Sequence, residues 1–202
     1  MAGTRPRTTT PEAIEDVAVR LFTELGFEDT TVDQIAASAG VSRTTFFRHF
    51  PNKAAVVWTS FERELNRVRA LLNTAPADQP AIVAVRWAIV AANRHRVEDV
   101  PWWRARRDLL ASSEALQASL LPRYRAWEDA IAEFVARRRD ESPTDLATRA
   151  IAGAICAMGR AAFHEWLDRA DADLPHYIDE SIAALSTEVC DRRWRTPTRA
   201  SG

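Results

Sequence analysis

One short stretch of the chain carries side chains that can bind a polyanion. Residues 42–53 have the sequence SRTTFFRHFPNK, and no acidic residue occurs between Gln34 and Phe61. An arginine can donate two hydrogen bonds to O6 and N7 of a guanine, whereas hydroxyl, histidine and lysine side chains hold phosphate oxygens. We therefore expect a DNA-contacting surface with base contacts from Arg43 and Thr44. The expected phosphate contacts are Ser42, Thr45, His49 and Lys53.

Two short helices joined by a glycine turn must position this surface. Thr31 followed three residues later by Gln34 is a capping-box signal for the start of a helix. Gly40 then supplies a turn, and Ser42 can cap a second helix because its hydroxyl accepts a hydrogen bond from a free backbone N–H. The sequence therefore predicts a helix, a tight turn and another helix within about 20 residues.

The second of these helices has an apolar side and a polar side. Phe46 and Phe50 are four residues apart, so both are expected to point inward. The outward face then carries Arg43, Thr44, Phe47 and Arg48. This arrangement predicts a helix-turn-helix, whose second helix enters the major groove of DNA with its N-terminal residues at the base edges.

The rest of the chain is also predicted to be helical. Its 202 residues include only six glycines and are rich in Ala, Leu, Arg and Glu, so the expected fold class is all-α. A first helix, completing a three-helix N-terminal unit, begins at Thr10 and ends at Gly26. Further helices are expected over residues 52–72, 80–96, 101–111, 113–139 with a bend near Pro122, 143–170 and 175–194.

This pattern predicts three regions along the chain. Residues 1–51 form a flexible arm and the DNA-binding domain, and Arg5 and Arg7 of the arm can enter a minor groove. Residues 52–194 form a helical domain for ligand binding and dimerisation. Residues 195–202 are expected to be a disordered tail because they carry little apolar surface.

Composition and missing motifs exclude several classes of protein. The net charge is −1, so any nucleic-acid surface has to be local. Without a run of about 18 apolar residues or a secretory h-region, we expect a cytoplasmic protein with no membrane-spanning segment. Two cysteines and four scattered histidines indicate neither a disulfide framework nor a zinc site. Nucleophile-elbow and phosphate-loop motifs are missing, so we expect no enzyme, no catalytic residue, no metal and no cofactor.

Seven tryptophans suit a helical domain that encloses an apolar cavity. Arg104, Arg106 and Arg107 follow the Trp102-Trp103 pair, and a basic rim beside aromatic rings suits an acid or a phosphorylated ligand. Ordinary core filling is the competing explanation for most of the aromatic residues. The predicted ligand-binding residues are Trp87, Trp102, Trp103, Arg107, Trp127, Phe134, Phe163 and His164.

The last two predicted helices have surfaces suited to pairing with a second copy of the chain. The helix from Pro143 is rich in small residues, and the final helix has an apolar stripe. A single recognition helix makes few base contacts, and a homodimer on a palindromic site doubles them. The predicted contacts of this four-helix interface are Ala154, Met158, Ala161, Ile178, Ile182, Leu185 and Val189.

The N-terminal region resembles the TetR family of transcriptional regulators. The residues that carry the resemblance are Gly26-Phe27, Thr31, Ala39-Gly40-Val41-Ser42, Phe46 through Phe50, and Pro51-Asn52-Lys53. The resemblance implies DNA contacts at Thr31, Arg43, Thr44, Thr45, Phe47, His49 and Lys53. The family usually has tyrosine at the position of Phe47, so a phosphate hydrogen bond made by that hydroxyl is lost in this chain.

Most of the chain resembles a narrower group, the regulators associated with mycofactocin biosynthesis. The residues that carry this resemblance are Thr45 to Arg48, Val56 to Trp58, Val100 to Arg104, Leu121 to Tyr124, Trp127, and Glu133 to Arg137. It implies a repressor of that gene cluster. A small apolar effector such as a long-chain acyl-CoA would release the repressor from operator DNA.

Two other functions fit the same sequence. A ligand-sequestering or partner-binding helical module fits the near-neutral charge and the phenylalanine at position 47. In such a module the DNA-binding domain, called the head below, would bind DNA only weakly. A regulator with an intact head can instead act as an activator, or respond to a drug or a fatty acid. Specific binding to DNA separates the first of these from a repressor.

Overall fold

The computed structural model describes the backbone of residues 10–190 and the side chains of residues 10–184. Arg5 and Arg7, the predicted tail and the side chains of Leu185 and Val189 lie outside these residues. Within the described range the chain is all-α, as expected, and no strand occurs there. The α-helices are α1 (Pro11–Leu25), α2 (Val32–Ser38), α3 (Arg43–His49), α4 (Thr59–Thr74), α5 (Ala81–Ala92), α6 (Val100–Ser112), α7 (Glu114–Ala118), α8 (Leu120–Arg139), α9 (Leu146–Arg169) and α10 (Leu174–Cys190).

Local capping rules account for the first three helices. The Thr10 hydroxyl accepts a hydrogen bond from the Ala13 N–H at the start of α1, and Gly26 ends α1 with a φ of 92°. At α2 both bonds of the capping box between Thr31 and Gln34 are formed. The predicted starts of these helices are therefore confirmed, because each cap satisfies backbone N–H groups that the helix itself leaves free.

Two later boundaries differ from the predictions. The segment expected to begin one long helix at residue 52 starts with a 3-10 helix over Lys53–Trp58, and α4 begins only at Thr59. The break expected near Pro122 occurs at Ser119 instead. Ser119 Oγ accepts a hydrogen bond from Trp58 Nε1 over 3.0 Å and donates one to the Leu116 carbonyl. Pro122 is tolerated in the first turn of α8, where its missing N–H would have no helical partner.

Two compact units make up the structure. The first contains the described residues up to Ala70 together with Glu98–Trp127, and the second contains Leu71–Val97 and the described residues from Glu128 onward. Phe46 and Phe50 are 0% and 5% exposed in the core of the first unit, so their predicted inward direction is confirmed. The large, fully buried side chains of this core include Ile14, Phe22, Ile35, Trp58 and Leu116.

Buried charged groups connect α1 to α4 and α6 within the first unit. Glu15 on α1 is fully buried, and its Oε2 accepts hydrogen bonds from the N–H and the hydroxyl of Ser60, at 2.9 and 2.6 Å. Arg106 on α6 is 4% exposed and donates its Nε–H to the Val57 carbonyl. The Arg106 charge faces Glu15, and its guanidinium carbon lies 5.1 Å from the centre of the Trp58 ring. Helix α1 of the DNA-binding domain is thus held to α4 by hydrogen bonds made away from water, where such bonds are strongest.

Burial decides the protonation of Glu15. Burial raises the pKa of this carboxyl to about 7, although the Ser60 hydrogen bonds and the Arg106 charge act in the opposite direction. Glu12 on the same helix behaves in the opposite way, because a backbone hydrogen bond lowers the pKa of its carboxyl. The two side chains therefore give α1 two carboxyl groups whose contributions to stability depend on pH with opposite signs.

Ion pairs and carbonyl contacts organise the second unit. The Arg86 guanidinium on α5 donates Nε–H and Nη2–H to the two carboxylate oxygens of Asp179 on α10, both over 2.7 Å. The Leu174 N–H at the start of α10 donates to the His95 carbonyl. Arg138 on α8 donates to the carbonyls of the loop that precedes α5, at residues 75, 77 and 79. The Arg86 and Leu174 contacts fix α5 against α10, and the Arg138 contacts fix α8 against the loop before α5.

Helix α9 is long and apolar, and its apolar surface is only partly buried among the described residues. By length and composition it is the one helix of the described residues that could cross a membrane, and 22% of its apolar window is buried. An apolar helix of a helical bundle has the same composition. Its ion pair between Arg149 Nη1 and Asp129, at 2.6 Å, lies near its N-terminal end. Among the described residues, much of its remaining apolar surface is half-buried or exposed.

We expect Glu15→Gln to remove a pH-dependent part of the stability. The native carboxyl has a pKa of about 7 and an unfolded one about 4.5, so the native state holds a proton that the unfolded state has released between these values. The stabilisation by Glu15 relative to Gln should therefore fall by about 2 to 3 kcal/mol as pH rises from 4.5 to 7. Urea unfolding at pH 5 and pH 8 measures it.

Glu12→Gln is the matched control for this measurement. Because the native pKa of Glu12 is lowered, its contribution should be lost as pH falls, which is the opposite sign. Identical pH dependence of the free energy of unfolding in the wild type and Glu15→Gln would contradict the prediction.

Candidate nucleic-acid interface and effector cleft

The turn between α2 and α3 sets the orientation of the second helix. Gly40 has a φ of 68°, in the left-handed region that favours glycine. The Val41 N–H donates to the Ala36 carbonyl over 2.9 Å, which closes the end of α2. Ser42 follows at once and caps α3, since its hydroxyl accepts a hydrogen bond from the Thr45 N–H. The helix, turn and helix expected from the sequence are confirmed.

The outer face of α3 carries the predicted DNA-contacting residues. Arg43, Thr44, Arg48 and His49 are exposed. Phe47 is 42% exposed, although the neighbouring Phe46 is fully buried. An exposed aromatic ring on a cationic face suits contact with a thymine methyl or the sugar-phosphate backbone. The structure therefore places these side chains on one accessible surface, and their contacts with DNA remain predictions.

Arg43 forms an ion pair that the sequence analysis missed. Its Nη1 lies 2.8 Å from both carboxylate oxygens of Asp33 on α2. Its guanidinium carbon also lies 5.3 Å from the centre of the Phe47 ring. Asp33 stands one residue before Gln34, just outside the acid-free stretch, and the angle between the two helices brings it to Arg43. The sequence contains the two charges but no local rule that joins them.

Lys53 has a structural role in addition to its predicted phosphate contact. Its Nζ donates to the carbonyls of Phe27 and Glu28, over 2.5 and 3.2 Å, and lies 4.3 Å from the centre of the Phe27 ring. These carbonyls follow the end of α1, so Lys53 ties α1 to the segment after α3. The ammonium group has three protons, and the third remains available for a phosphate.

The hydroxyl groups of the interface also cap helices. Thr31 Oγ1 accepts a hydrogen bond from the Gln34 N–H, and Ser42 Oγ lies 2.9 Å from Thr45 Oγ1. Arg48 Nη2 lies 3.5 Å from His49 Nε2. A phosphate oxygen accepts a hydrogen bond, so a hydroxyl must donate its proton to it: the Thr31 hydroxyl donates to Gln34 Oε1 instead, whereas one proton of the Ser42–Thr45 pair is left for a phosphate. The caps hold these groups at fixed positions on the surface.

The predicted ligand-binding residues fall in both units. Trp102, Trp103, Arg107 and Trp127 belong to the first unit. The rings of Trp102 and Trp103 pack edge-to-face with centres 4.7 Å apart, and Trp103 is 5% exposed. The Trp127 ring lies 5.6 Å from that of Phe61. Arg107 Nε donates to Asp108. Trp103 therefore fills core space, which was the competing explanation for these aromatics.

The other four predicted ligand residues belong to the second unit. Phe134 is 2% exposed beneath the Arg138 guanidinium, so it fills the core. The Phe163 ring lies 5.8 Å from that of Trp166, and His164 is exposed. Trp87 is 45% exposed and, unlike the other seven predicted ligand residues, lines a cleft among the described residues of the second unit.

This cleft lies between the end of α5 and the start of α10. Its volume is about 370 Å³, within the range of small-molecule sites. The lining residues are Trp87, Val90, Ala91, Arg94, His95, Arg96, Asp173 and Pro175. Aromatic and aliphatic side chains meet an arginine rim here, which suits an anion with an apolar tail. Arg94 and Arg96 follow the end of α5, where no periodic pattern in the sequence marks them as site residues.

The structure corrects part of the predicted dimer face. Ile178 and Ile182 on α10 are 2% and 1% exposed in the core of their own unit, so they are not available to a second copy. On α9, Ala154 and Met158 are half-buried and Ala161 is exposed. The two remaining predicted contacts, at positions 185 and 189, have side chains outside the described residues. The α9 part of the prediction stays open.

Cys156 on α9 is poorly suited to covalent chemistry. Burial raises the pKa of this thiol to about 12, so the reactive thiolate is scarce near neutral pH. Among residues 10–184, no group of three His, Cys, Asp or Glu side chains is placed to hold a metal ion.

Two family models match the chain. The model described as bacterial regulatory proteins, tetR family, matches residues 14–57, and the MftR C-terminal domain matches residues 79–189. A Mycobacterium tuberculosis protein named as a mycofactocin biosynthesis transcriptional regulator, MftR, is 34% identical over 163 residues, covering 81% of this chain and 82% of that protein. The HTH-type transcriptional regulator TcmR of Streptomyces glaucescens is 32% identical over 191 residues, covering 89% of this chain and 84% of that protein.

Solved structures show the same fold. The crystal structure of Thermus thermophilus FadR, a TetR-family repressor in complex with lauroyl-CoA, gives a TM-score of 0.52 at 21% identity and covers 96% of this chain and 100% of that chain. A similarity at this identity supports the architecture. The lauroyl-CoA in that structure is a ligand of FadR.

Arg43→Ala and Lys53→Ala should weaken DNA binding in different ways. Arg43→Ala should cost about 1 to 3 kcal/mol on a specific site and little on random duplex, because a base contact is lost. Lys53→Ala should weaken binding to both, and should lower the free energy of unfolding by about 1 kcal/mol because its two carbonyl contacts are removed. Fluorescence anisotropy and urea unfolding measure these effects. Equal losses on specific and random duplex for Arg43→Ala would contradict its role at a base.

Proposed function

Because the chain belongs to the TetR family of bacterial transcriptional regulators, we propose that it is a cytoplasmic, homodimeric repressor that a small apolar effector releases from operator DNA. The observation that carries this proposal is the outer face of α3, where Arg43, Thr44 and Arg48 are exposed on a short helix fixed at both ends. The mycofactocin gene cluster is the proposed target, since the relative with that name matches most of the chain.

The uncovered surface of α9 supports a homodimer. A long apolar helix with little of its surface buried in one chain is a typical subunit interface. Two copies of α9, with α10 beside them, would form a four-helix interface in which Ala154, Met158 and Ala161 allow close approach. Two recognition helices related by two-fold symmetry would then contact a palindromic operator.

The cleft of the second unit is the proposed effector site. Trp87 offers an exposed aromatic surface, and Arg94 is an exposed cation at the same cleft. A long-chain acyl-CoA has an apolar tail and an anionic head, which matches these two features. A cleft of about 370 Å³ is small for a whole acyl-CoA molecule. We therefore expect the cleft to enclose the acyl chain, while the anionic CoA group lies at the arginine rim.

Release from DNA requires two states of the head. Helix α4 follows α3 through residues 50–52 and the 3-10 helix Lys53–Trp58, and the Glu15–Ser60 hydrogen bonds lock the start of α4 to α1. A shift of α4 would therefore move the whole head. An effector lowers DNA affinity only to the extent that it binds the non-binding state more tightly, which is usually worth about 1 to 3 kcal/mol.

A second candidate function has an observation in its favour. A ligand-sequestering or partner-binding module with a weakened head is consistent with the ion pair that engages Arg43 and with the missing hydroxyl at Phe47. A regulator that activates transcription, or that responds to a drug or a fatty acid, would carry the same head. The experiment on DNA below distinguishes the sequestering module from a regulator.

The protein should bind duplex DNA from its own upstream region in preference to random duplex. Fluorescence anisotropy with random competitor at two salt concentrations measures this preference and the number of chains per duplex. Binding should survive the competitor, weaken as salt rises because phosphate contacts release counterions, and saturate at an even number of chains. Binding that is no stronger than to random duplex, on this and on a selected pool, would favour the sequestering module.

Long-chain acyl-CoA should release the bound duplex, and Trp87→Ala should weaken that release. The variant removes an exposed aromatic wall of the cleft, so the acyl-CoA concentration for half release should rise about tenfold or more. Ile82→Ala is the control, since Ile82 is a similarly exposed α5 residue outside the cleft lining. Unchanged release by Trp87→Ala would place the effector elsewhere.

A further inference from the structure

We propose that Asp33 is a positioning residue for base recognition, which holds the Arg43 guanidinium with one donor edge turned to the DNA. The inference rests on the proposed function, because it requires α3 to enter the major groove. It adds a residue of α2, outside the recognition helix, to the determinants of sequence preference.

The hydrogen bonds leave a complete donor edge of the guanidinium available. Arg43 Nη1 is held by both oxygens of Asp33, at 2.8 Å each. Arg43 Nε and Nη2 make no hydrogen bond to the described residues. These two nitrogens form the adjacent pair of N–H donors that a guanine accepts at O6 and N7. Asp33 thus binds Nη1, which is not needed when Nε and Nη2 bind a guanine.

Both ends of the ion pair stand on fixed helix termini. Asp33 is the second residue of α2, whose start is fixed by the capping box between Thr31 and Gln34. Arg43 is the first residue of α3, whose start is fixed by Ser42. The Phe47 ring, one turn along α3, lies 5.3 Å from the guanidinium carbon and limits its movement on another side. The side chain is therefore ordered before DNA arrives.

Exposure of the pair shows that stability is not its main effect. The Arg43 and Asp33 side chains are 61% and 67% exposed, and ion pairs this exposed contribute little to folding. A long arginine side chain loses much rotational freedom when it binds, and holding it in advance removes part of that cost. A carboxylate near DNA phosphates also repels them on any sequence. Asp33 should therefore lower affinity for all DNA slightly while raising the preference for the correct base.

A competing role for Asp33 makes the opposite prediction. If the carboxylate only competes with DNA for Arg43, its removal should strengthen operator binding more than random binding. If it positions Arg43, its removal should weaken operator binding relative to random binding. The ratio of the two affinities separates the roles, since the general charge effect cancels in the ratio.

The experiment compares Asp33→Asn with Asp29→Asn in the full chain. Asp29 is an exposed carboxylate of the same head that makes no contact with Arg43, so the control changes the charge equally. The probes are a duplex selected from a random pool by the wild type, the same duplex with its contacted guanine replaced, and random duplex. Anisotropy gives the three dissociation constants.

Asp33→Asn should reduce the operator-to-random ratio about two- to tenfold, and Asp29→Asn should leave it unchanged. Asp33→Asn should also reduce the penalty for replacing the guanine, and in an Arg43→Ala background it should change neither quantity. A merely structural role would instead lower the free energy of unfolding, which we expect to stay constant.

Two results would overturn the proposal in distinguishable ways. A wild type that selects no duplex, or prefers none over random DNA, would overturn the proposed function together with the role of Asp33. A wild type with clear preference that Asp33→Asn retains or increases would overturn the role of Asp33 alone. The guanine penalty provides an independent measure in the second case.

Discussion

The connection between the head and the rest of the first unit depends on the buried carboxyl of Glu15. Two donors of Ser60 and the charge of Arg106 meet it in a core that excludes water. Removing one partner from such a group leaves the others buried without compensation, which is costly. These bonds join α1, the start of α4 and α6, and the release proposed above requires such a connection, because a shift of α4 has to reach the recognition helix.

Several residues predicted to contact DNA also have a role in folding. Ser42 and Thr31 cap their helices, and Lys53 ties α1 to the segment after α3. Because the groups that could contact DNA also satisfy backbone atoms, their positions are set before binding and little entropy is lost on association. The free protein thus presents its contacts as part of a rigid surface. Arg43 is the long side chain of this surface whose order depends on a partner from another helix.

Much of the fold could be predicted from the sequence, and the exceptions have a common physical cause. Caps at Thr10, Thr31 and Ser42 follow local rules, since their partners lie within three residues. The break at Ser119 depends on an indole 61 positions away in sequence, so no local rule could locate it. Ile178 and Ile182 of the predicted α10 stripe are buried, but periodicity cannot tell whether such a stripe covers its own core or a partner. The aromatic residues pose the same problem for core and cavity.

Uncovered apolar surface on α9 has a consequence for how much active protein a cell holds. A chain that leaves part of an apolar helix exposed is stabilised by whatever covers that surface, and for a self-associating chain the covering partner would be another copy. The folded fraction then depends on total concentration by mass action. A regulator produced in few copies would spend more of its time as dissociated chains, which proteases remove first. Synthesis rate and lifetime would be linked through a single helix.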